Sequence, residues 1–585
     1  MAKRMMEDLV FNQMLCSEGY KVDYAVGTTY SLDLSTFMSL PFSLGFIEDP
    51  DEAMRSSVAY LFTALRVCSS KLAVFCNFSD IKVPEGHKKI FYSLVEGSIF
   101  SVNPARKPQE LINFHPKVWV IQESEINGDS SRIKVIVMSR NLTGDNSLDV
   151  VCEITGEIKD KEAPVKSLEK HKPLWDFLNY LKRYADDKKR RMIEKLISSI
   201  KRVKAFDLSE SPFDDYSFVP MGIKEHFNDG RELLDRLHQS REAVVISPFI
   251  DNHVLDDLTG IECKTLITRE MSLTQSIVDN FGKDDIYITN QQMLDNEESN
   301  TVDLHAKIYY TREHDFKQHM FLGSTNATRN GFERNVEFLL GLRFAPYKCS
   351  YEKFRENFIN SDKDCKFEQM IDIPETAGDK REELRQTLIL RQNIAAIQNA
   401  SVNINDTGKY DVVVSSCEEY CTEAAIYPLM CPEKKVVLTG TVVFQDIELE
   451  KLSEFYVIEV DESRRLIKIQ TEGIPESRDE AICRKVMNKD QFMDCICFLL
   501  AESKKAYVAE KMMNEKLMGE GAGGDASRSQ NLPALYEELL RAAYERPDVF
   551  DDMESFIRSL PEDIVPADFN RIYNDIRNSL KNYTR

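Results

Sequence analysis

Short apolar runs alternate with amphipathic helical patterns over the first two thirds of the chain. The segments 56–80 and 230–251 each read as a helix followed by a buried strand, and the strands contain "KLAVFCN" and "EAVVIS". This alternation predicts α/β halves in which helices cover a sheet. Farther along, a cluster of strands is predicted within 409–472 from the runs "YDVVVSS", "KKVVLTGTVVF", "FYVIEVDE" and "LIKIQTE". A helix is predicted over about 488–516.

These changes of pattern divide the chain into six segments. A basic stretch predicts a connecting helix between the two halves, and a Gly/Ser-rich run predicts a flexible linker before a helical tail. The predicted boundaries are 1–181 for half 1, 182–204 for the basic connecting helix, 205–378 for half 2, 379–517 for a β-rich α/β module, 518–531 for the linker and 532–585 for the helical tail module.

An ordered set of polar residues occurs once in each half. "FHPKVWVIQ" matches "LHAKIYYTR", and "SRNLTGDNSLD" matches "STNATRNGFERNVE". A single His-x-Lys should arise about once by chance in this composition, but its recurrence with Ser-x-Asn and a later acid should not. Shared core hairpins would explain the apolar repeat, yet not polar residues at the strand ends. The two sets are His115, Lys117, Ser139, Asn141 and Asp149, and His305, Lys307, Ser324, Asn326 and Glu337.

The residue types suit a phosphate group. Lysine ammonium and asparagine amide groups donate hydrogen bonds to phosphate oxygens. One imidazole can attack phosphorus, and a second can protonate the leaving oxygen. Each half supplies one histidine, so we expect both halves to form one site. No acidic cluster of the metal-ligand type accompanies these residues, and we expect neither a metal nor another cofactor.

The paired motifs resemble those of the phospholipase D superfamily over about residues 55–345. The family's usual Asp, seven positions after the histidine, is replaced by Gln122 and Arg312. The chain therefore looks closer to the tyrosyl-DNA phosphodiesterase branch and to phospholipase D-like nucleases than to true phospholipases. The resemblance implies two α/β/α sandwich halves related by a pseudo-twofold axis, with the site in the cleft between them.

The same resemblance implies a role for each site residue. It makes His115 the nucleophile and His305 the general acid, with Ser139 and Ser324 in support. Each carboxylate is expected to serve the opposite histidine and to raise its pKa, with Asp149 facing His305 and Glu337 facing His115. The expected phosphate ligands are Lys117, Lys307, Asn141 and Asn326.

Charge and composition limit the partners. The net charge of −22 argues against indiscriminate nucleic-acid binding, but 182–204 carries ten Lys or Arg against three acids. This stretch is either a solvated helix or a contact for a phosphate backbone through Lys188, Lys189, Arg190 and Arg191. Without a long apolar run or a secretory leader pattern, and with scattered cysteines, the chain is expected to be cytosolic and to use no membrane.

Three functions remain open at this stage. The first is a metal-independent nuclease acting on nucleic acid, DNA before RNA; the layout also resembles proteins that bacteria encode beside helicases in phage-defence operons. The second is a scaffold with a weakened site, because Met138 precedes Ser139 where Gly323 precedes Ser324, and the C-terminal modules suit a protein partner such as a helicase. The third is lipid hydrolysis. It ranks lowest, because the sequence shows no basic amphipathic helix or apolar flap that would indicate binding to a membrane surface.

Overall fold

The computed structural model describes residues 15–44, 65–84, 89–289, 303–359, 366–370, 380–500 and 532–583, apart from short gaps within these ranges. It is a mixed α/β protein with several sheets, which confirms the predicted class. The predicted linker 518–531 lies outside the described residues, as do most of the helix predicted within 56–80 and the second half of the helix predicted over 488–516.

Sheet 1 belongs to the first half and has six strands. Three of them form an antiparallel meander, and a fourth strand, Tyr20–Thr29, pairs antiparallel with the first meander strand and parallel with Leu72–Asn77. In spatial order the strands are Ile99–Val102, Leu72–Asn77, Tyr20–Thr29, Val118–Glu125, Ser131–Met138 and Val151–Glu157.

Sheet 2 belongs to the second half and has eight strands. It contains the same meander, flanked in the same way by Glu242–Ile246 and its parallel neighbour. In spatial order the strands are Phe213–Met221, Glu337–Phe344, Gln318–Gly323, Ile308–Arg312, Glu242–Ile246, Cys263–Thr268, Ile286–Thr289 and Phe367–Gln369.

The structure corrects the upstream alignment of the repeat. The sequence pattern matched the strand in 56–80 with the strand in 230–251. In the sheets, however, the partner of the first meander strand is Tyr20–Thr29 in one half and Glu242–Ile246 in the other. The first half therefore begins near Tyr20, before the point where the motif resemblance starts. Both Leu72–Asn77 and Glu242–Ile246 are buried runs, so hydrophobic pattern alone does not distinguish them.

Helices fill the space between the two sheets and cover their outer faces. Val165–Lys182 and Asp187–Ile200 pack in one core with the inner faces of both sheets, together with Tyr351–Ile359. The basic stretch 182–204 therefore contains the last residue of one helix and the whole of the next, rather than one continuous helix. The outer face of sheet 2 is covered by Asp229–His238, Asn252–Leu258 and Gln275–Phe281.

The C-terminal segments pack closely on the first half. Two short first-half strands, Leu32–Asp33 and Ile81–Lys82, continue a sheet whose other members are Ser463–Lys468, Phe455–Val460, Ala425–Pro428 and Val436–Val437. A second sheet contains Thr441–Ile447, Tyr410–Ser416, Ile397–Ile404 and Thr471–Glu472, and the helix Lys380–Ala396 packs in the same core.

The outer face of sheet 1 contributes to a core with helices from both ends of the chain. These are Leu34–Phe37, Leu40–Ser43, Tyr92–Val95, Ser477–Val486, Lys489–Leu500, Leu532–Glu545, Val549–Arg558 and Ala567–Tyr583. The remaining helix is Arg329–Glu333, directly after the second Ser-x-Asn motif. Among the described residues, no helix has the length and apolarity needed to cross a bilayer.

Candidate active site

The meander brings each His-x-Lys motif next to its own Ser-x-Asn motif. Lys117 precedes the strand Val118–Glu125, and Ser139 follows the neighbouring antiparallel strand, so both lie at one end of sheet 1. The N–H of Met138 donates to the carbonyl of Lys117 at 3.0 Å. In sheet 2 the N–H of Gly323 donates to the carbonyl of Lys307 at 3.3 Å. The same local pairing therefore builds both half-sites.

Backbone hydrogen bonds join the two half-sites. The N–H of His115 donates to the carbonyl of Val336 in the other half, and the N–H of His305 donates to the carbonyl of Leu148, each at 2.9 Å. Asp149 and Glu337 follow these two acceptors directly in the chain. The main chain thus brings each carboxylate to the histidine of the opposite half.

The side chains show the crossed pairing that the motif resemblance implied. Nδ1 of His115 donates to Oε2 of Glu337 at 2.9 Å, and Nδ1 of His305 donates to Oδ1 of Asp149 at 2.9 Å. That expectation is confirmed. Each contact fixes the imidazole tautomer and leaves Nε2 free of its proton in the neutral ring. Neither half can assemble an oriented imidazole alone.

The two serines hold the carboxylates. The hydroxyl of Ser139 donates to Asp149 at 2.7 Å, and the hydroxyl of Ser324 donates to Glu337. Each serine oxygen also accepts a backbone N–H, from Val150 and from Phe338, both at 3.0 Å. These contacts suit the supporting role predicted for Ser139 and Ser324.

Both motif lysines are completely buried. The ammonium of Lys117 lies 3.0 Å from Nε2 of His115 and 3.1 Å from its carbonyl oxygen. The ammonium of Lys307 donates to the carbonyl oxygen of His305 at 2.5 Å. A buried ammonium without a full complement of acceptors is costly, so the pair favours an entering anion.

The asparagines differ between the half-sites. Oδ1 of Asn141 accepts the N–H of Ser31 at 3.4 Å. The buried Oδ1 of Asn326 has no hydrogen-bond partner among the described residues. Buried polar atoms in folded proteins are nearly always satisfied, so the Asn326 amide is well suited to bind a ligand.

Each carboxylate raises the pKa of its histidine, as expected, but burial lowers both pKa values by more, so that both lie below the ordinary value. Burial lowers the pKa of His305 to about 3, with a further contribution from Lys307, and the nearby Asp149 offsets only part of this. Burial also lowers the pKa of His115 against the opposing effect of Glu337. Desolvation of the charged ring outweighs the carboxylate, so both imidazoles are neutral in the empty site.

The lysines and carboxylates are shifted for related reasons. Burial lowers the pKa of Lys117 to about 7 and the pKa of Lys307 well below its usual range. Although burial opposes it, contact with His305 and two serines lowers the pKa of Asp149, and His115 lowers that of Glu337. Lys117 acts on the pKa of His305, and Lys307 on that of His115. Each motif lysine therefore lies close enough to lower the pKa of the histidine in the opposite half.

Three contacts near the motifs came from loops that the sequence analysis did not select. The ring of Tyr30 lies 4.9 Å from that of His115, centroid to centroid. Oδ1 of Asn77 accepts the N–H of Phe114 at 3.0 Å, and Nε of Arg269 donates to the carbonyl of Leu304 at 2.8 Å. Each of Tyr30, Asn77 and Arg269 ends or follows a strand beside the motif strands. These residues reach the site because their strands are neighbours of the motif strands in the sheets, and the sequence pattern does not show which strands are neighbours.

The basic helix corrects one predicted nucleic-acid contact. Lys188, Arg190 and Arg191 are exposed, but Lys189 is buried and its ammonium donates to the carbonyl of Ser69. Ser69 precedes the strand Leu72–Asn77, whose opposite end reaches the site through Asn77. The buried Lys189 ammonium cannot contact a phosphate backbone in this structure.

No set of three or more His, Cys, Asp or Glu side chains is arranged to hold a metal ion within the part of the chain that the structure describes. The donors around the two histidines are ammonium, amide and hydroxyl groups beside two carboxylates that are already paired. This set suits an oxyanion. The structure brings two histidines and two lysines together in an arrangement that could accept a phosphate-like group.

Comparisons with known proteins give weak structural likenesses. No family model and no curated protein sequence matches the chain. A yeast tyrosyl-DNA phosphodiesterase structure is similar at TM-score 0.37 and 13% identity, covering 59% of this chain and 87% of that one. Polyphosphate kinase from Porphyromonas gingivalis matches at TM-score 0.33 and 11% identity, covering 66% of this chain and 50% of that one. NucT from Helicobacter pylori matches at TM-score 0.18 and 17% identity, covering 22% and 84%. Scores this low establish neither a common fold nor a function.

Proposed function

We propose that the chain is a metal-independent phosphodiesterase that acts on nucleic acid, DNA before RNA, through a covalent phosphohistidine. The observation that carries this proposal is the crossed pairing of the buried His115 and the half-buried His305 with carboxylates from opposite halves. Such pairing fixes both imidazoles for work at Nε2. A structural core would gain nothing from burying two neutral histidines beside two buried lysines.

The proposed roles of the two histidines follow from their pairing, His115 with Glu337 and His305 with Asp149. Nε2 of His115, neutral in the empty site, attacks phosphorus and forms a P–N bond as the P–O bond to the leaving group breaks. His305 gives its proton to the leaving oxygen. It then removes a proton from the water that cleaves the P–N bond. The negative charge of a bound phosphodiester raises the pKa of His305, which supplies the proton that the empty site lacks.

Four side chains are proposed to hold the non-bridging oxygens: Lys117, Lys307, Asn141 and Asn326. The phosphate charge would restore full protonation of the two lysines. The side-chain NH2 group of Asn326 would donate to one of these oxygens. Phosphate binding would offset the cost of burying these charged and polar groups. The same groups would stabilise the negative charge that builds up in the transition state.

The proposal extends to larger partners with less structural support. The exposed Lys188, Arg190 and Arg191 are proposed to contact a phosphate backbone, which would confine nucleic-acid binding to one part of an acidic protein. A helicase bound through the C-terminal modules, in a phage-defence operon, is proposed from the layout of the chain.

A cleavage assay in EDTA tests the activity. Labelled single-stranded DNA, labelled RNA and bis(p-nitrophenyl) phosphate are the substrates, and His115→Gln is compared with the exposed-site control His238→Gln. We expect turnover in EDTA by the unaltered chain and by the control, and none by His115→Gln. Activity that EDTA abolishes and Mg²⁺ restores would reject the mechanism.

Trapping the intermediate tests the assignment of the two histidines. Rapid denaturation during turnover should leave an acid-labile phosphoryl adduct on His115. His305→Gln should accumulate this adduct when the substrate has a good leaving group, because water is no longer activated. An adduct on His305 instead would reverse the two roles.

One contact favours a second candidate, a catalytically weakened subunit of a nucleic-acid-processing complex. The ammonium of Lys117 lies 3.0 Å from Nε2 of His115, the atom that must attack. If the ammonium keeps this position when phosphate is bound, the nucleophile is blocked. Nucleic-acid binding without cleavage of any of the three substrates would favour this candidate.

A further inference from the structure

We infer that Phe249 and Arg269 form a stacking subsite for a nucleobase on the His305 side of the site. The inference deepens the proposed function and rests on a nucleic-acid strand as the substrate. Phe249 is 46% exposed, and the guanidinium carbon of Arg269 lies 4.8 Å from the centre of its ring. One aromatic side chain is therefore supported by a cation and open to solvent.

The loop that carries Phe249 is fixed beside both motifs of the second half. Ile246 pairs with Ile308, the first residue after Lys307, so the loop starting at Ser247 leaves sheet 2 at the motif end. The hydroxyl of Ser247 accepts the N–H of Ala327, the residue after Asn326, at 3.0 Å. The same hydroxyl donates to the carbonyl of Phe249 at 2.7 Å.

Arg269 connects this aromatic ring to the chain that enters the site. Its Nε donates to the carbonyl of Leu304, immediately before His305, and lies 2.9 Å from a carboxylate oxygen of Asp303. The pKa of Arg269 is lowered by burial and partly restored by Asp303 and Asp149, and Asp149 is the partner of His305. The guanidinium thus lies between the ring and the histidine loop.

Location, rather than the Arg–Phe contact alone, identifies the subsite. A second pair of the same kind exists at Phe316, which is 63% exposed, with the guanidinium carbon of Arg312 at 5.2 Å from its ring centre. That pair lies at the hairpin turn after Ile308–Arg312, at the opposite end of the strand from Lys307. The Phe316–Arg312 pair is therefore a matched control, because it has the same chemistry but lies at the end of the strand away from the site.

A nucleobase is the ligand that suits an exposed ring beside a phosphate centre. Bases stack on aromatic side chains in single-strand binding proteins, and an arginine behind the ring adds cation–π attraction. At the equivalent strand end of the first half, the described aromatic residue is Tyr30, which packs against His115. The subsite would therefore hold the base on one side of the scissile phosphate only.

Equilibrium binding tests the inference independently of turnover. In a His115→Gln background, a labelled single-stranded oligonucleotide is compared by anisotropy with an abasic strand of the same length and charge. Phe249→Ala should weaken binding of the base-containing strand about 5- to 100-fold, the range of one lost base–aromatic stack. The abasic strand should change less than about twofold, because it has no base to lose. Phe249→Leu should resemble Phe249→Ala, and Phe249→Trp should restore affinity.

The control and the remaining outcomes separate this inference from the proposed function. Phe316→Ala should leave binding of both strands unchanged. Equal effects of Phe249→Ala on the two strands, or no binding of either strand before substitution, would overturn the subsite. A base-dependent effect in a chain that cleaves no diester in EDTA would keep the subsite and reject the phosphodiesterase.

Discussion

His305 and Asp149 lie 156 positions apart in the chain, yet Nδ1 of the histidine donates to the carboxylate at 2.9 Å. The contact crosses from one half to the other, and Glu337 makes the reciprocal contact with His115. Because these carboxylates are buried and also held by serines, their positions are fixed before any substrate binds. The two halves therefore share a duplicated motif, and each half depends on the other for the carboxylate that orients its histidine.

Replacement of this carboxylate should impair catalysis through the pKa of His305. Asp149→Asn removes the charge that raises that pKa, so the imidazolium loses its proton at a lower pH and the alkaline limb of the kcat profile, set by the general acid, should move to lower pH. We expect kcat to fall by about 10- to 100-fold or more, as for other groups that orient a catalytic ring. A pH profile of kcat is the measurement.

The neighbouring Asp145 offers a control for that substitution. Asp145 is exposed and pairs with Lys82 at 2.9 Å, so Asp145→Asn should leave kcat and its pH profile unchanged. Full activity and an unaltered profile in Asp149→Asn would show that His305 does not depend on the crossed contact.

Anion affinity should depend on pH through Lys117. Its pKa of about 7 in the empty site means that the ammonium is charged below this pH and loses its proton above it. Sulfate keeps its charge across the range, so its affinity should be highest below about pH 7 and fall about tenfold per pH unit above it for each ammonium that must regain a proton. Calorimetric titration with sulfate at several pH values measures this.

Two variants test whether Lys117 causes the pH dependence. Lys117→Met should reduce both the affinity and its slope with pH, whereas Lys82→Met, at an exposed position, should do neither. An affinity for sulfate that does not vary with pH would contradict the shifted lysine.

The sequence could predict the site residues because chemistry and order are repeated together. Each of His115 and His305 is followed later in the chain by an acidic residue, Asp149 or Glu337. The crossed pairing of these acids with the histidines followed from the motif resemblance. The carboxylates raise the histidine pKa values as predicted, but the net shift is downward, because burial depends on the surrounding fold and is not visible in a motif. A charge partner alone does not determine a pKa.

Other parts of the site depend on which strands are neighbours. Tyr30 reaches His115 because Tyr20–Thr29, and not the more apolar Leu72–Asn77, pairs with the first motif strand. Lys189 was misread as a surface cation, although Met192 and Ile193 follow it at helical spacing on the buried face. That spacing could have separated Lys189 from its exposed neighbours.

The exposed cations of the basic helix make a separate prediction. If they contact a nucleic-acid backbone, the triple substitution Lys188→Ala, Arg190→Ala and Arg191→Ala should weaken single-stranded DNA binding. The slope of log affinity against log salt should fall by about 0.7 for each lost phosphate contact. Anisotropy at several salt concentrations measures both quantities.

Lys189 provides the comparison within the same helix. Lys189→Met removes a buried ammonium that donates to the carbonyl of Ser69, so it should lower the melting temperature and leave the salt slope unchanged. If the triple variant also keeps the original salt slope, the helix is a solvated surface and the nucleic acid follows another path.

A buried ion pair joins the C-terminal module to the first half and should dominate the stability of that interface. Glu96 is buried, accepts the hydroxyl of Ser453 and the N–H of Glu454, each at 3.0 Å, and pairs with the buried guanidinium of Arg478. Glu96→Gln leaves the guanidinium paired with Asp479, at 2.7 Å, so the loss should be smaller than the about 3–5 kcal/mol that a fully broken buried pair costs. Urea unfolding followed by tryptophan fluorescence measures the loss.

The double variant shows whether the cost comes from the incompletely paired charge. Glu96→Gln with Arg478→Met should be more stable than Glu96→Gln alone, because the guanidinium that lost a charge partner is then absent. Glu480→Gln, in the same helix Ser477–Val486 but in an exposed pair with Arg484, should change stability by less than about 1 kcal/mol. A double variant no more stable than Glu96→Gln would mean that the packing of these side chains, and not their charge, holds the module on the first half.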